Sequence, residues 1–320
     1  MTHHGKTPGH QPQHAPTTSI IIATLDNAKT IRRCVESVIA SYRIGQVKEI
    51  IVVDGGSTDK TLDLLEGLPV KVIHDLGRGV GDAYEQGART ATGDFLFFLD
   101  ADQYISDDFF PAVYSFFVDE KVAVMGCQST PLQTNRITRA QSQWSRWKGV
   151  PGILAVRNRL AEGHAYGPGG LLFLRRLAFE DVNGWRGASR LTTARLADIT
   201  MSEKVKKRGW KMATPQTQGY WLQAPVYEYL RDTLQDLLKQ QFLYGVGAAA
   251  FHSLIRRDLR LGPILVFSRI FSYPVCLVYT IRSRSLLHLA LFWPTRLAWV
   301  TGYLRGLQLV RRLTEFGVVE

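Results

Sequence analysis

Two aspartates one residue apart, Asp100 and Asp102, follow an unbroken apolar run at 95–99, FLFFL. In an extended segment residues i and i+2 point the same way, so carboxylates at this spacing can share one divalent ion directly or through its waters. Mg²⁺ and Mn²⁺ favour such oxygen sites and complete their shells with phosphate oxygens. An ion held there would neutralise a diphosphate and assist its departure as a leaving group. Many solvated strand-end loops also carry Asp-x-Asp, so the meaning of the pair depends on its surroundings.

Those surroundings are strands alternating with helices. The β-branched and apolar runs at 19–23, 49–53, 70–73 and 95–99 read as strands, and their unbroken apolar character suits a parallel sheet buried on both faces. Between them, 30–40 sets Ile31, Cys34, Val35, Val38 and Ile39 on one helical stripe, and 59–65 and 80–89 read as helices too. This predicts an α/β, doubly wound, Rossmann-like sheet whose ligand lies beyond the carboxyl ends of the strands. Three polar clusters converge on that rim: Thr24-Leu25-Asp26, Asp54-Gly55-Gly56-Ser57 and Asp100-Ala101-Asp102. No dinucleotide or P-loop glycine pattern accompanies them. Beyond Asp102, helices are expected near 107–118, 196–208 and 229–251 and strands near 122–126 and 171–174, while 136–159 is ambiguous and 163–170 is a glycine-rich loop.

A formal charge of +11 over 320 residues favours an anionic partner. The segment 121–161 contains no Asp or Glu but carries Arg136, Arg139, Arg146, Lys148, Arg157 and Arg159. No nucleic-acid-binding signature is present, which leaves phosphorylated substrates and a membrane surface as partners. Cys34, Cys127 and Cys276 are widely spaced and odd in number, so neither a disulfide framework nor a zinc knuckle is indicated. Residues 1–17 read as a disordered tail without a signal-peptide core; its His3, His4, His10 and His14 could bind a stray metal. Two apolar stretches, 261–281 and 286–303, approach the roughly 20 residues that a bilayer span needs. Arg269 and Arg296 sit near their middles and Pro274 and Pro294 interrupt them. A central Arg costs about 2.5–3.5 kcal/mol, so amphipathic helices lying in the cytosolic interface are favoured over a spanning hairpin.

The segments SIIIATLD (19–26), IVVDGGSTDKT (51–61), GDAYEQG (81–87), TGDFLFFLDAD (92–102) and KQQFLYG (239–245) occur in an order that resembles the inverting family 2 glycosyltransferases of GT-A fold. The resemblance is strong over 18–102, moderate to about 247 and weak beyond. It implies a nucleotide-sugar donor, UDP- or GDP-linked, and Mg²⁺ or Mn²⁺ as cofactor. By position it implies that Asp54 faces the base with Thr24 and Asp26 beside it, and that Arg78 and Asp82 approach the nucleotide and its phosphates. Asp102 would be the main metal ligand, with Asp100 its partner nearer the ribose. Asp198 would be the catalytic base, and Gln241 and Tyr244 would lie by the acceptor and diphosphate. The chain departs from the family pattern at Ala23, Leu25, Gly55 and Ala197, and Leu243-Tyr244 replaces the Arg-Trp typical of processive synthases. That last change argues for transfer of a single sugar.

Several of these residues have ordinary alternatives. Asp54 could cap a turn, and Asp198 could be a first-turn helix acid. His164 could touch donor or acceptor, or be structural. Trp144 and Trp147, flanking Arg146 and Lys148, could grip a lipid phosphate or occupy the core. The combined expectation is a GT-A domain over 18–227 and a helical, membrane-associated region over 228–320. The enzyme would sit on the cytoplasmic face of a membrane and glycosylate a polyprenyl phosphate or a lipid-linked glycan. A nucleotide-sugar-forming nucleotidyltransferase and a non-catalytic membrane scaffold are the alternatives.

Overall fold

A computed structural model of the chain describes residues 16–43, 45–75, 79–127, 129–146, 171–185, 194–213, 226–250, 253 and 273–315. The first half is built as the apolar runs dictate. Strands β1 (Thr18–Thr24), β2 (Val47–Asp54), β3 (Lys71–His74) and β4 (Phe95–Asp100) are mutually parallel, linked through helices α1 (Ile31–Arg43) and α2 (Val80–Thr90). Downstream come β5 (Gln103–Ile105), α3 (Phe109–Tyr114), β6 (Val122–Cys127), β7 (Ser129–Leu132) and α4 (Arg136–Arg146). They are followed by β8 (Leu171–Arg175), α5 (Arg176–Asp181), α6 (Ala194–Lys207), β9 (Lys211–Ala213) and β10 (Val226–Tyr229). Helices α7 (Leu234–Ala250), α8 (Tyr273–Ser283) and α9 (Leu287–Glu315) complete the described elements.

The main sheet has the order β3-β2-β1-β4-β8-β6-β9, in which β8 alone runs against the rest. Alternate residues of β1 serve opposite layers. Ile20 and Ile22 join the cluster under α1 and α3, and Ile21 joins the cluster under α2 and α6 with Tyr84, Phe98 and Trp185. A strand buried on both faces cannot spare a polar position, which is why these runs read as continuous apolar stretches. Burying each such side chain contributes about 1.5–3 kcal/mol. The stripe of Ile31, Cys34, Val35, Val38 and Ile39 is the buried face of α1.

Three expectations need correction. The crossover at 59–65 is a turn followed by a 3-10 segment, Asp63–Leu65, because side chains there bind loops instead of helical carbonyls. The Asp59 carboxylate accepts from the amides of Ala28 and Thr61, and the Thr61 hydroxyl oxygen accepts from the Asn27 amide. Pro294 does not interrupt its helix, whereas the expected break at Pro274 concerns a stretch whose first part, 261–272, lies outside the described residues. Pro274 lies in the first turn of α8, where its missing N–H costs nothing, and α9 runs through Pro294. A boundary at 227 would cut β10, which pairs with β5 and β7 in a small second sheet. Among the described residues no helix is long and apolar enough to cross a membrane.

Candidate functional site

The parallel register brings the polar strand ends together. Thr24 lies opposite Asp54, and Ala23 opposite Asp100, so the three clusters share the carboxyl rim of the sheet. Two of the acids there are consumed by the rim itself. Asp54 is almost fully buried, and its carboxylate accepts from the amides of Gly56 and Ser57, with His74 Nδ1 at 3.4 Å. Asp26, in left-handed backbone at φ 53°, accepts from the amides of Thr58 and Asp59 and ties the first loop to the second. Buried Thr24 accepts from the Asn27 side-chain amide, and its carbonyl accepts from Gly55 N–H. These residues therefore shape the rim whatever else they contact.

The Asp100 and Asp102 carboxylates have different surroundings. Asp100 ends β4, and Tyr84 Oη donates to its Oδ1 at 2.5 Å. That hydroxyl is fixed by a fully buried ring packed edge-on against Phe98 and tilted against Trp185. Asp102 lies in a turn, not in the continuing strand that the i, i+2 argument assumed. Its carbonyl accepts from Tyr229 N–H of β10, and its Oδ2 pairs with the Arg231 guanidinium at 3.1 Å. Burial raises the Asp102 carboxyl above the usual carboxylate range, against the opposing pull of Arg231. Both carboxylates act on the buried thiol of Cys34, which burial first, then Asp102 and Asp100, push well above its ordinary pKa. The two carboxylates thus lie close to the same buried thiol.

This donor set fits a small hard cation. Among the described residues no group of three or more His, Cys, Asp or Glu could hold a metal ion, so of those residues Asp100 and Asp102 are the donors this rim offers. Mg²⁺ and Mn²⁺ are held this way when substrate phosphates complete the shell.

Arg231 is the residue that sequence reasoning missed. It lies in the connection between β10 and α7, which α4 clamps: Gln141 Nε2 donates to the Arg231 carbonyl and Asn135 Nδ2 to the Asp232 carbonyl, both at 2.7 Å. Thr233 then caps α7, its hydroxyl oxygen accepting from Asp236 N–H. A guanidinium and a divalent ion compete for the same Asp102 oxygen. Arg231→Gln is therefore expected to tighten binding of Mn²⁺ alone by about fivefold, the factor for the ~1 kcal/mol of a half-exposed ion pair. Calorimetric titration of nucleotide-free protein reads this directly, and an unchanged affinity would remove Arg231 from the site's electrostatics.

The other sequence-derived residues are less tightly assembled. Asp82 is in the first turn of α2, its carboxylate accepting from Gln86. Gln241 and Tyr244 lie on α7, where Tyr244 packs with Ala249, Trp299 and Tyr303 in the crossing with α9. Asp198 falls within α6, and Trp144 and Arg146 within α4, but their side chains lie outside what the structure describes. Arg78, Trp147 and His164 lie outside the described residues altogether. The Ala197 departure has a packing reason: Ala197 is fully buried, and its carbonyl accepts from Trp185 Nε1 at 2.7 Å.

Glycosyl transferase family 2 matches residues 19–182, just over half of the chain. Over 94 residues the chain is 43% identical to a PGL/p-HBAD biosynthesis glycosyltransferase of Mycobacterium bovis (strain BCG / Pasteur 1173P2), covering 28% of this chain and 36% of that protein. The chain thus spans little more than a third of the length of the first curated relatives it matches. It is 25% identical over 247 residues to the poly-beta-1,6-N-acetyl-D-glucosamine synthase of Staphylococcus aureus (strain COL), covering 75% of this chain and 56% of that protein. In fold it is similar to glucosyl-3-phosphoglycerate synthase from Mycobacterium tuberculosis in complex with Mg²⁺ and UDP. The TM-score is 0.52 at 20% identity, over 76% of this chain and 84% of that one.

Proposed function

The chain belongs to glycosyl transferase family 2, and from that premise we propose that it moves a single sugar from a UDP- or GDP-sugar to a lipid-linked acceptor with inversion. The observation that carries the reading is the pair Asp100 and Asp102 at the carboxyl rim, flanked by Tyr84 and Arg231, with Asp102 desolvated. Membership of a glycosyltransferase family favours transfer over the nucleotidyltransferase alternative, and the scaffold alternative, which would keep the same fold, predicts no turnover.

Asp100 and Asp102 would hold the Mg²⁺ or Mn²⁺ that offsets diphosphate charge as the leaving group departs. Tyr84 fixes one Asp100 oxygen through a ring that cannot turn, so that carboxylate needs no reorganisation when the donor arrives. Arg231, half exposed, is free to leave Asp102 for a phosphate oxygen, which a planar guanidinium matches well. An acceptor oxygen then attacks the anomeric carbon as its bond to the diphosphate breaks, and the nucleoside diphosphate leaves. For a hydroxyl acceptor Asp198 takes the proton. For a lipid phosphate, already anionic, Asp198 only orients the nucleophile. The acid-free basic stretch 121–161 supports an anionic lipid-linked acceptor at the cytoplasmic membrane face.

The test is the melting temperature of the purified chain with UDP- and GDP-sugars, with and without Mn²⁺. A ligand at about 100 times its Kd adds roughly 2.7 kcal/mol. Metal-dependent stabilisation by one nucleotide class is expected. Folded protein that responds to no donor would rule the reading out.

A further inference from the structure

The described residues of the C-terminal helices include an exposed apolar row. Leu286, just before α9, and the outward positions Trp293, Leu297 and Leu304 on it are 75%, 50%, 65% and 55% exposed, and they recur at 7, 4 and 7 residues, the spacing of one side of a helix. Ile281, at 69%, extends the patch onto the end of α8. The row from 286 to 304 is about 27 Å long at 1.5 Å per residue. The charge that seemed to break this segment in sequence does not reach it. Arg296 is turned inward, its guanidinium 4.9 Å over the Phe292 ring and close enough to act on Cys276. The opposite side of α9 is taken up by α7. An exposed apolar row of this length, uninterrupted by charge, is what soluble surfaces avoid.

Charge chooses the occupant. From 259 to 314 there is no Asp or Glu, while eight arginines fall there, and Arg282, Arg284 and Arg305 are exposed beside the patch. A second copy would set these arginines against their own equivalents with no acid to offset them. A bilayer surface with anionic headgroups satisfies both features, taking the apolar row into the acyl boundary and the arginines at the phosphates. We propose that the outward face of α8 and α9 docks the enzyme on an anionic phospholipid membrane, lying on it without crossing. The proposal deepens the reading of a lipid-linked acceptor and rests on it for its purpose, but not for its test.

The experiment is flotation of the full chain with vesicles of phosphatidylcholine alone or mixed with phosphatidylglycerol. Binding to the mixed vesicles only, weakened by salt, is expected. The double variant Trp293→Gln/Leu297→Gln, both at exposed positions, should bind them more than about tenfold more weakly. Arg282→Gln/Arg284→Gln should lose about 30-fold, the product of two surface arginines. Both variants should keep the parent's melting temperature and its nucleotide-induced shift, so failure at the donor site and failure at this face read out separately. Equal flotation of parent and variants, or equal binding to phosphatidylcholine alone, overturns the proposal. A parent dimer that the Trp293/Leu297 variant converts to monomer, measured by light scattering, overturns it in favour of a second copy.

Discussion

Asp102→Asn is expected to lower kcat/KM by roughly 10²–10³-fold, corresponding to the several kcal/mol that a bound divalent ion supplies to a departing diphosphate. The amide keeps the shape of the side chain but not its charge, leaving Asp100 as the remaining carboxylate of the pair. The same change should not unfold the protein. In the metal-free chain the Asp102 carboxylate is a desolvated charge whose protonated form burial favours, and its partner Arg231 is exposed enough to be taken up by water. Replacing it removes a buried charge at the cost of one partly exposed ion pair, so the metal-free melting temperature should stay level or rise slightly. Stabilisation by Mn²⁺ with nucleotide should disappear. Nucleoside diphosphate release and a thermal melt, run on parent and variant together, check both halves. Wild-type turnover in Asp102→Asn would mean that the pair is no more than a strand-end turn.

That experiment depends on features that sequence could and could not reveal. The strands ending at Thr24, Asp54 and Asp100 were legible because a strand buried on both faces must be apolar throughout, and the polar residue that ends such a run marks the rim. The α1 stripe was legible for the same reason at helical period. Arg231 was not. Nothing local distinguishes it from any loop arginine, and it reaches Asp102 only because β10 pairs with β5, a contact between distant parts of the chain. Asp26 and Asp54 carry a second role that the sequence did not show. As residue types at a rim they suggest ligand contacts, and their carboxylates are in addition engaged by backbone amides of the loop at 56–59. Short polar side chains compete for local amides wherever a loop turns tightly, and the sequence does not say which interaction wins. Arg296 shows the same limit in the C-terminal region. Hydropathy counts it as a charge in mid-segment, whereas packing places it over Phe292 and out of the exposed face.

The second large effect concerns how that region is held. Helix propensity predicts that Gly302→Ala stabilises α9 by about 0.8–1.0 kcal/mol. The structure predicts the opposite sign. Helices α7 and α9 cross through glycines: Gly245 faces the Trp299 carbonyl, Gly302 the Phe242 carbonyl, and a Cβ on Gly306 would lie 2.6 Å from the Val246 carbonyl oxygen. A methyl at 302 would overlap the Phe242 carbonyl oxygen, and a helix backbone cannot rotate aside as a long side chain can. The helices must separate, opening the cluster of Ala249, Trp299 and Tyr303. A loss of about 3 kcal/mol, the upper end for overpacking, is therefore expected in place of a gain. The sheet rests on separate clusters, so the nucleotide-dependent shift should survive while α9 becomes accessible to protease. Leu304→Ala, at an exposed position of the same helix, should leave the digestion pattern unchanged. If Gly302→Ala instead raises the melting temperature and leaves α9 protected, the close crossing is not what anchors the C-terminal helices. If α9 is released and nucleotide binding is lost with it, the connection from Asp102 through its ion pair with Arg231 and the capped start of α7 carries the dependence, because it links the rim to that helix pair.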